Sequence, residues 1–294
     1  MPVDIDIETK TEVLMEALPY IQQFKGSIFV VKFGGSFMDT EAARVGVATD
    51  LVFLATVGIH VIVVHGGGPA INKAMAEAEI EPVWKNGLRY TDEKTIGIVE
   101  RTLNQGINLG ICENIQTRRG KPIGVKGQDV FRCQRLETDR DGNPVDLGFV
   151  GDITSVETGR LLKYLEQSYT PIVSPVAQDK EGQFYNVNAD VAAAHLASAI
   201  GARRLVYLCD VPGLLRNPKD PETLISSVSE AEVPGLREAG IIGSGMLPKV
   251  ESAVNAMSRG VHRVHLIDGR MPHSILLEIF TDKGVGTEIV HAAK

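Results

Sequence analysis

Apolar residues along this chain fall into two recurring patterns. Residues 28–33, 61–65, 171–175, 205–210 and 261–267 are short, β-branched and almost continuously apolar, as strands buried on both faces require. Helical stretches lie between them, at 40–57, 69–80, 91–118, 157–167, 189–200 and 246–259. Repeated strand-then-helix order predicts an α/β fold, a three-layer αβα sandwich with a central, mostly parallel sheet. Right-handed crossovers then set the strand C-terminal ends along one edge, where such folds bind ligands.

The middle of the chain breaks this rhythm. Residues 83–90, with Lys85-Asn86-Gly87 inside, read as a β-hairpin. So do 129–136 and 145–156, joined by a turn-rich segment at 139–144. Hairpins added to an α/β core often cover a site. The preferred layout is two lobes sharing one sheet, 27–201 and 202–294, dividing near Gly201. Residues 1–26 stand apart. Leu14, Leu18 and Ile21 recur at i, i+4, i+7, with Val13, Ala17, Tyr20 and Phe24 beside them. This is an amphipathic helix, interrupted or kinked at Pro19, whose stripe packs on its own lobe or on another subunit.

Composition narrows the class. The 294 residues include 30 Lys plus Arg and 37 Asp plus Glu, for a net charge of −7. That balance argues against general nucleic-acid binding, without excluding a local basic pocket. Three cysteines with no C-x-x-C read as small buried hydrophobes. The acidic N-terminus lacks a signal-peptide core, and the longest apolar run, 51–64, is interrupted by Thr56 and His60. A cytoplasmic protein without a membrane partner is expected.

Neither a P-loop nor a dinucleotide fingerprint occurs. Two other glycine turns do, each between a strand and a helix: Lys32-Phe33-Gly34-Gly35-Ser36 and His65-Gly66-Gly67-Gly68-Pro69. Such turns expose backbone N–H groups to an anion, and the following helix start adds partial positive charge. Lys32 sits in an otherwise apolar strand and needs an anionic partner, an internal carboxylate or a phosphate. Asn186-Val187-Asn188-Ala189-Asp190 opens a helix, with Asn188 as N-cap and Asp190 in the first turn. Gly243-Ser244-Gly245-Met246 leads to Lys249 near another helix start, which also needs an anion nearby. Cys209-Asp210-Val211-Pro212-Gly213 ends a further strand. Together these residues suit phosphoryl transfer between anions, with one aspartate holding two lysines.

In their order, Lys32-Phe33-Gly34-Gly35, His65-Gly66-Gly67-Gly68, Asn86-Gly87-Leu88-Arg89, Asn186-Val187-Asn188-Ala189-Asp190 and Gly245-Met246-Leu247-Pro248-Lys249 resemble the amino-acid kinase family, and within it the acetylglutamate kinases. The resemblance runs over residues 28–289. It implies the amino-acid kinase fold and transfer of a phosphoryl group from ATP, carried with Mg²⁺, to the side-chain carboxylate of N-acetyl-L-glutamate, the second step of arginine biosynthesis. It places Lys32 on the transferring group, Lys249 on the nucleotide phosphates and Asp190 between the lysines. Gly34, Gly35, Gly67 and Gly68 supply N–H groups, and Arg89 and Asn186 hold the substrate. Asp210, Gly213, Leu214 and Gly243 line the nucleotide site, and no protein ligand to a metal is implied. A carboxylate nucleophile is already ionised at neutral pH, so no general base is required; His65 reads as positioning its glycine turn.

The resemblance extends to an arginine-inhibited hexameric form, a trimer of dimers with an extra N-terminal helix, some members of which bind a PII-type signalling protein. It places an arginine site at Tyr20, His273, Glu278 and Gly286. Two alternatives stay open: a relative acting on carrier-bound aminoadipate or glutamate, and a non-catalytic arginine or nucleotide sensor.

Overall fold

A computed structural model describes residues 6–35, 38, 40–139, 142–243 and 245–292. Ser36 and Ser244, quoted above within motifs, lie outside the described residues, as do 1–5 and 140–141 of the N-terminal and turn segments. In chain order the elements are α1 (Ile7–Phe24), β1 (Ile28–Phe33), α2 (Glu41–Thr56), β2 (His60–His65), α3 (Gly68–Glu77), β3 (Trp84–Lys85), β4 (Leu88–Arg89), α4 (Glu93–Arg101) and α5 (Asn108–Gln116). There follow β5 (Pro122–Val125), β6 (Phe131–Arg135), β7 (Gly151–Val156), α6 (Gly159–Glu166), β8 (Thr170–Val173), β9 (Val176–Gln178), β10 (Phe184–Asn186) and α7 (Ala189–Ala199). The last part holds β11 (Arg204–Cys209), β12 (Ser227–Ser229), α8 (Val233–Glu238), α9 (Leu247–Ser258), β13 (Arg263–Asp268), α10 (Ser274–Phe280) and β14 (Thr287–Val290).

An eight-stranded sheet in the order β12-β14-β13-β11-β1-β2-β8-β5 forms the middle layer. From β13 through β5 all pairings are parallel; β14 joins β13 antiparallel and carries β12 at the edge. The fold class is therefore α/β and mostly parallel, with helices on both faces. Strand order reverses between β1 and β11, the switch point at which α/β sheets open a crevice.

Side-chain alternation on β1 divides the core. Val30 packs with Ile62, Tyr207 and α7 in one apolar layer, whereas Phe29, Val31 and Phe33 pack with α2, α5 and α10 in the other. The two-residue period puts Lys32 on Val30's side of the sheet, facing α7.

Several boundaries depart from the sequence expectation. The helix predicted over 91–118 is three segments, because residues Thr102–Ile107 adopt a π-helical turn between α4 and α5. β5 was not anticipated: Pro122 and Gly124 lower its strand signal, and pairing with β8 makes it a strand. The 83–90 hairpin forms because Asn86 (φ 52°) and Gly87 (φ 75°) both take the left-handed backbone that a two-residue turn demands. β6 and β7 pair antiparallel and, with β9 and β10, make a second four-stranded sheet beside the main one. The N-terminal helix starts earlier than its apolar stripe, capped by Asp6 accepting from the Thr9 N–H at 2.8 Å, and it runs through Pro19. No helix among the described residues is long and apolar enough to cross a membrane.

Candidate active site

The two glycine turns meet at the C-terminal edge of β1 and β2. The Gly66 N–H donates to the Phe33 carbonyl at 2.7 Å. A Cβ on Gly34 would lie 3.2 Å from Gly66 Cα and 2.7 Å from Lys32 Nζ, so the absence of a side chain there lets the turns touch and the ammonium lie over Gly34. At Gly67 a Cβ would overlap Ile107 and Leu103 of the π-helical turn. That turn therefore presses against the second glycine loop.

His65, fully buried, supports this loop. Burial pushes its imidazole down to about 4, so it is neutral at physiological pH. Its Nδ1 meets the Gly66 carbonyl at 3.0 Å, which assigns the proton to Nδ1, and Nε2 then accepts from Asn108 Nδ2 at 3.3 Å. Asn108 also donates to the Ile172 carbonyl at 2.7 Å, tying α5 to β8.

Asp190 opens α7. Asn188 caps that helix, accepting from the Asp190 and Val191 N–H groups at 2.8 and 3.2 Å. Lys32 Nζ stands 2.9 Å from Asp190 Oδ1, and Lys249 Nζ stands 2.9 Å from Oδ2. One carboxylate thus separates two ammonium groups. Burial alone would raise the Asp190 carboxyl, but the charges and hydrogen bonds of Lys32 and Lys249 outweigh it and hold the group below the usual carboxylate range. Burial likewise opposes the charge on Lys249, and Asp190 more than restores it. The trio carries a net charge of +1. Sequence reasoning missed Tyr207, whose hydroxyl donates to the Asp190 carbonyl at 3.0 Å. Its signal was a phenol within an apolar strand, in register with Lys32 across β1 and β11.

A cleft of about 280 Å³ opens from Lys32 and Asp190. Lys32, Gly35, Gly67, Gly68, Asn186 and Asp190 line it, and Arg89 faces them from the β3–β4 hairpin. Arg89 is 5% exposed, and burial lowers its pKa. Its guanidinium donates to Asn72 Oδ1 at 2.5 Å and approaches Met75 Sδ and the Gly68 carbonyl, all neutral. No carboxylate among the described residues pairs with it. Asn186 Nδ2 donates to Thr91 Oγ1 at 3.3 Å.

Of the positions linked to a nucleotide, Asp210 and Gly213 follow the C-terminal end of β11, and Gly243 is exposed ahead of α9. Leu214 is a core residue, 1% exposed, whose N–H is taken by Thr287 Oγ1 at 2.8 Å. The three thiols are buried and pushed up, Cys112 to about 11 and Cys133 and Cys209 to about 12, chiefly by burial. Burial thus disfavours the thiolate form at all three.

The four residues linked to arginine are not all gathered together. Tyr20 and Glu278 share a second cavity of about 220 Å³ between α1, α10 and the β13–β14 edge. Tyr20 donates to Asp282 Oδ1 at 2.5 Å. The Glu278 carboxylate receives His265 Nδ1 at 2.7 Å and the Val285 and Gly286 N–H groups at 2.7 and 2.9 Å. His273 lies elsewhere, bonded to the buried Asp50 at 2.6 Å beside a different cavity.

The sequence profile of the amino acid kinase family matches residues 27–268. The chain belongs to the amino acid kinase family. Acetylglutamate kinase of Akkermansia muciniphila is 45% identical over 283 residues, 96% of this chain and 95% of that protein. Among solved structures, N-acetylglutamate synthase from Neisseria gonorrhoeae complexed with coenzyme A and N-acetyl-glutamate superposes with a TM-score of 0.85 at 25% identity. The match covers 97% of this chain but only 64% of that longer one. The same synthase complexed with coenzyme A and L-arginine gives 0.81 at 26% identity, covering 96% and 66%. In this amino acid kinase, Lys32 and Asp190, the latter paired also with Lys249, face a buried guanidinium across one cleft. Such an arrangement neutralises two anions brought together, which phosphoryl transfer requires.

Proposed function

We propose that this amino acid kinase transfers the γ-phosphoryl group of ATP to the side-chain carboxylate of N-acetyl-L-glutamate, giving ADP and N-acetyl-L-glutamyl 5-phosphate in arginine biosynthesis. The observation that carries the reading is Arg89: a buried cation in the cleft with only neutral partners among the described residues. A planar guanidinium in that state favours a carboxylate ligand. The near full-length likeness to acetylglutamate kinase supplies the substrate's identity.

In this reading Arg89 and Asn186 hold the acetylglutamate. Lys32 meets the moving phosphoryl group, Lys249 the nucleotide phosphates, and Asp190 holds the two lysines in place. The N–H groups of Gly34, Gly35, Gly67 and Gly68 cradle phosphoryl oxygens, with Asp210, Gly213 and Gly243 toward the nucleotide. Mg²⁺ arrives with ATP and neutralises its phosphates. The substrate carboxylate attacks as an anion, so no base is needed and neutral His65 keeps a positioning role.

Arginine inhibition belongs to the same reading. Its support is the cavity holding Tyr20 and Glu278 and the likeness to a synthase complexed with L-arginine. A hexamer built through α1 is supported by the exposure of Ile7, Val13, Leu14, Met15 and Leu18 on that helix.

An ADP-release assay tests the proposal. Acetylglutamate should drive ADP formation where glutamate and aspartate do not, and arginine should suppress it. Equal turnover with the unacetylated acids would refute the substrate assignment.

A further inference from the structure

The chain has one tryptophan, Trp84, and the roles above leave it without a task. It stands on β3 and is 55% exposed, a costly position for so large an apolar ring. In the hairpin register it lies directly opposite Arg89. The Arg89 guanidinium carbon sits over the ring, 4.7 Å from its centroid. Trp84 also lines the cleft beside Arg89 and Leu88. The Asn86-Gly87 turn fixes this register, and a one-residue slip would carry Trp84 to the other face.

The ring does what a carboxylate partner would not. Its face attracts a guanidinium without cancelling the charge. Arg89 thus keeps its positive charge for an incoming anion while Trp84, Asn72 and Met75 hold its plane. A bulky ring on that side also keeps water from the ion pair once it forms, which strengthens the pair.

We propose that Trp84 is a positioning residue for the carboxylate-bearing substrate, orienting Arg89 and shielding the contact it makes. This rests on the reading of Arg89 as the group that holds acetylglutamate. Two measurements on the full chain test it. Trp84→Ala should raise KM for acetylglutamate on the order of tenfold with kcat little changed, and Trp84→Phe should restore most of the loss by keeping a ring face. Acetylglutamate added without nucleotide should change the tryptophan emission of the parent protein saturably, a signal that comes from Trp84 alone. A Trp84→Ala variant with unaltered KM, or a parent whose emission is unmoved at saturating acetylglutamate despite normal turnover, would overturn the inference and leave the functional reading intact. A parent that does not phosphorylate acetylglutamate at all would bring down both.

Discussion

Asp190 shows how a single residue sets the electrostatics of the cleft. Each oxygen faces one lysine Nζ at 2.9 Å, so the two side chains are held close together by one carboxylate. Lys249 is the less buried of the two, and it is the better test. Lys249→Ala should lower kcat by roughly 10²- to 10³-fold, the range for losing one preorganised charge at a transition state. Its unfolding transition should stay cooperative, because Asp190 keeps Lys32. A variant retaining parental turnover would contradict the mechanism. Asp50 poses a different residue-scale problem. It is 1% exposed, and burial raises its carboxyl from 3.8 to about 6, only partly offset by His273. Between those values the folded chain binds more protons than the unfolded one, so stability falls as pH rises through the window and stays reduced above it. Asp50→Asn should therefore raise the Tm relative to the parent at pH 8, with the difference vanishing near pH 4. A gap that widened toward acid would reverse the assignment.

At the scale of elements, legibility followed the strength of local signals. β1 was read to the residue because five apolar positions and one lysine end at a glycine pair. Its lysine stood out because the rest of the strand is apolar. The Asn86-Gly87 hairpin was equally plain, since its turn chemistry is local. β5 and β14 were not, for their strand character comes from pairing with β8 and β13, which no short window contains. The π-helical turn at Thr102–Ile107 was invisible for a similar reason. Its neighbours are distant in the chain: Leu103 and Ile107 lie against Gly67, and Asn108 bonds His65. Asn108 thus links three elements, and its removal leaves the Ile172 carbonyl and His65 Nε2 without that donor. Asn108→Ala should cost about 1–3 kcal/mol in urea denaturation, the penalty for stranding buried polar groups. A loss within a few tenths would show that these groups find other partners.

Across the whole molecule, the acidic net charge and the basic cleft are compatible because they describe different places. Lys32 of β1 and Arg89 of β4 line one cleft, and Lys249 of α9 joins them through Asp190. That convergence was readable only by joining motifs far apart in the chain. The arginine-linked set was less legible: Tyr20 and Glu278 do share a cavity, while His273 is drawn to Asp50. The exposed stripe of α1 carries the assembly proposal. Deleting residues 1–26 should convert hexamers to dimers in sedimentation and abolish arginine inhibition; an unchanged hexamer would refute it. The central claim concerns the bond that is made. A phosphorylated carboxylate is an acyl phosphate, which hydroxylamine converts to a hydroxamate. With ATP, Mg²⁺, acetylglutamate and hydroxylamine, the protein should yield N-acetylglutamyl 5-hydroxamate in step with ADP, identified by mass spectrometry. ADP release without hydroxamate, or no ADP release at all, would contradict the account.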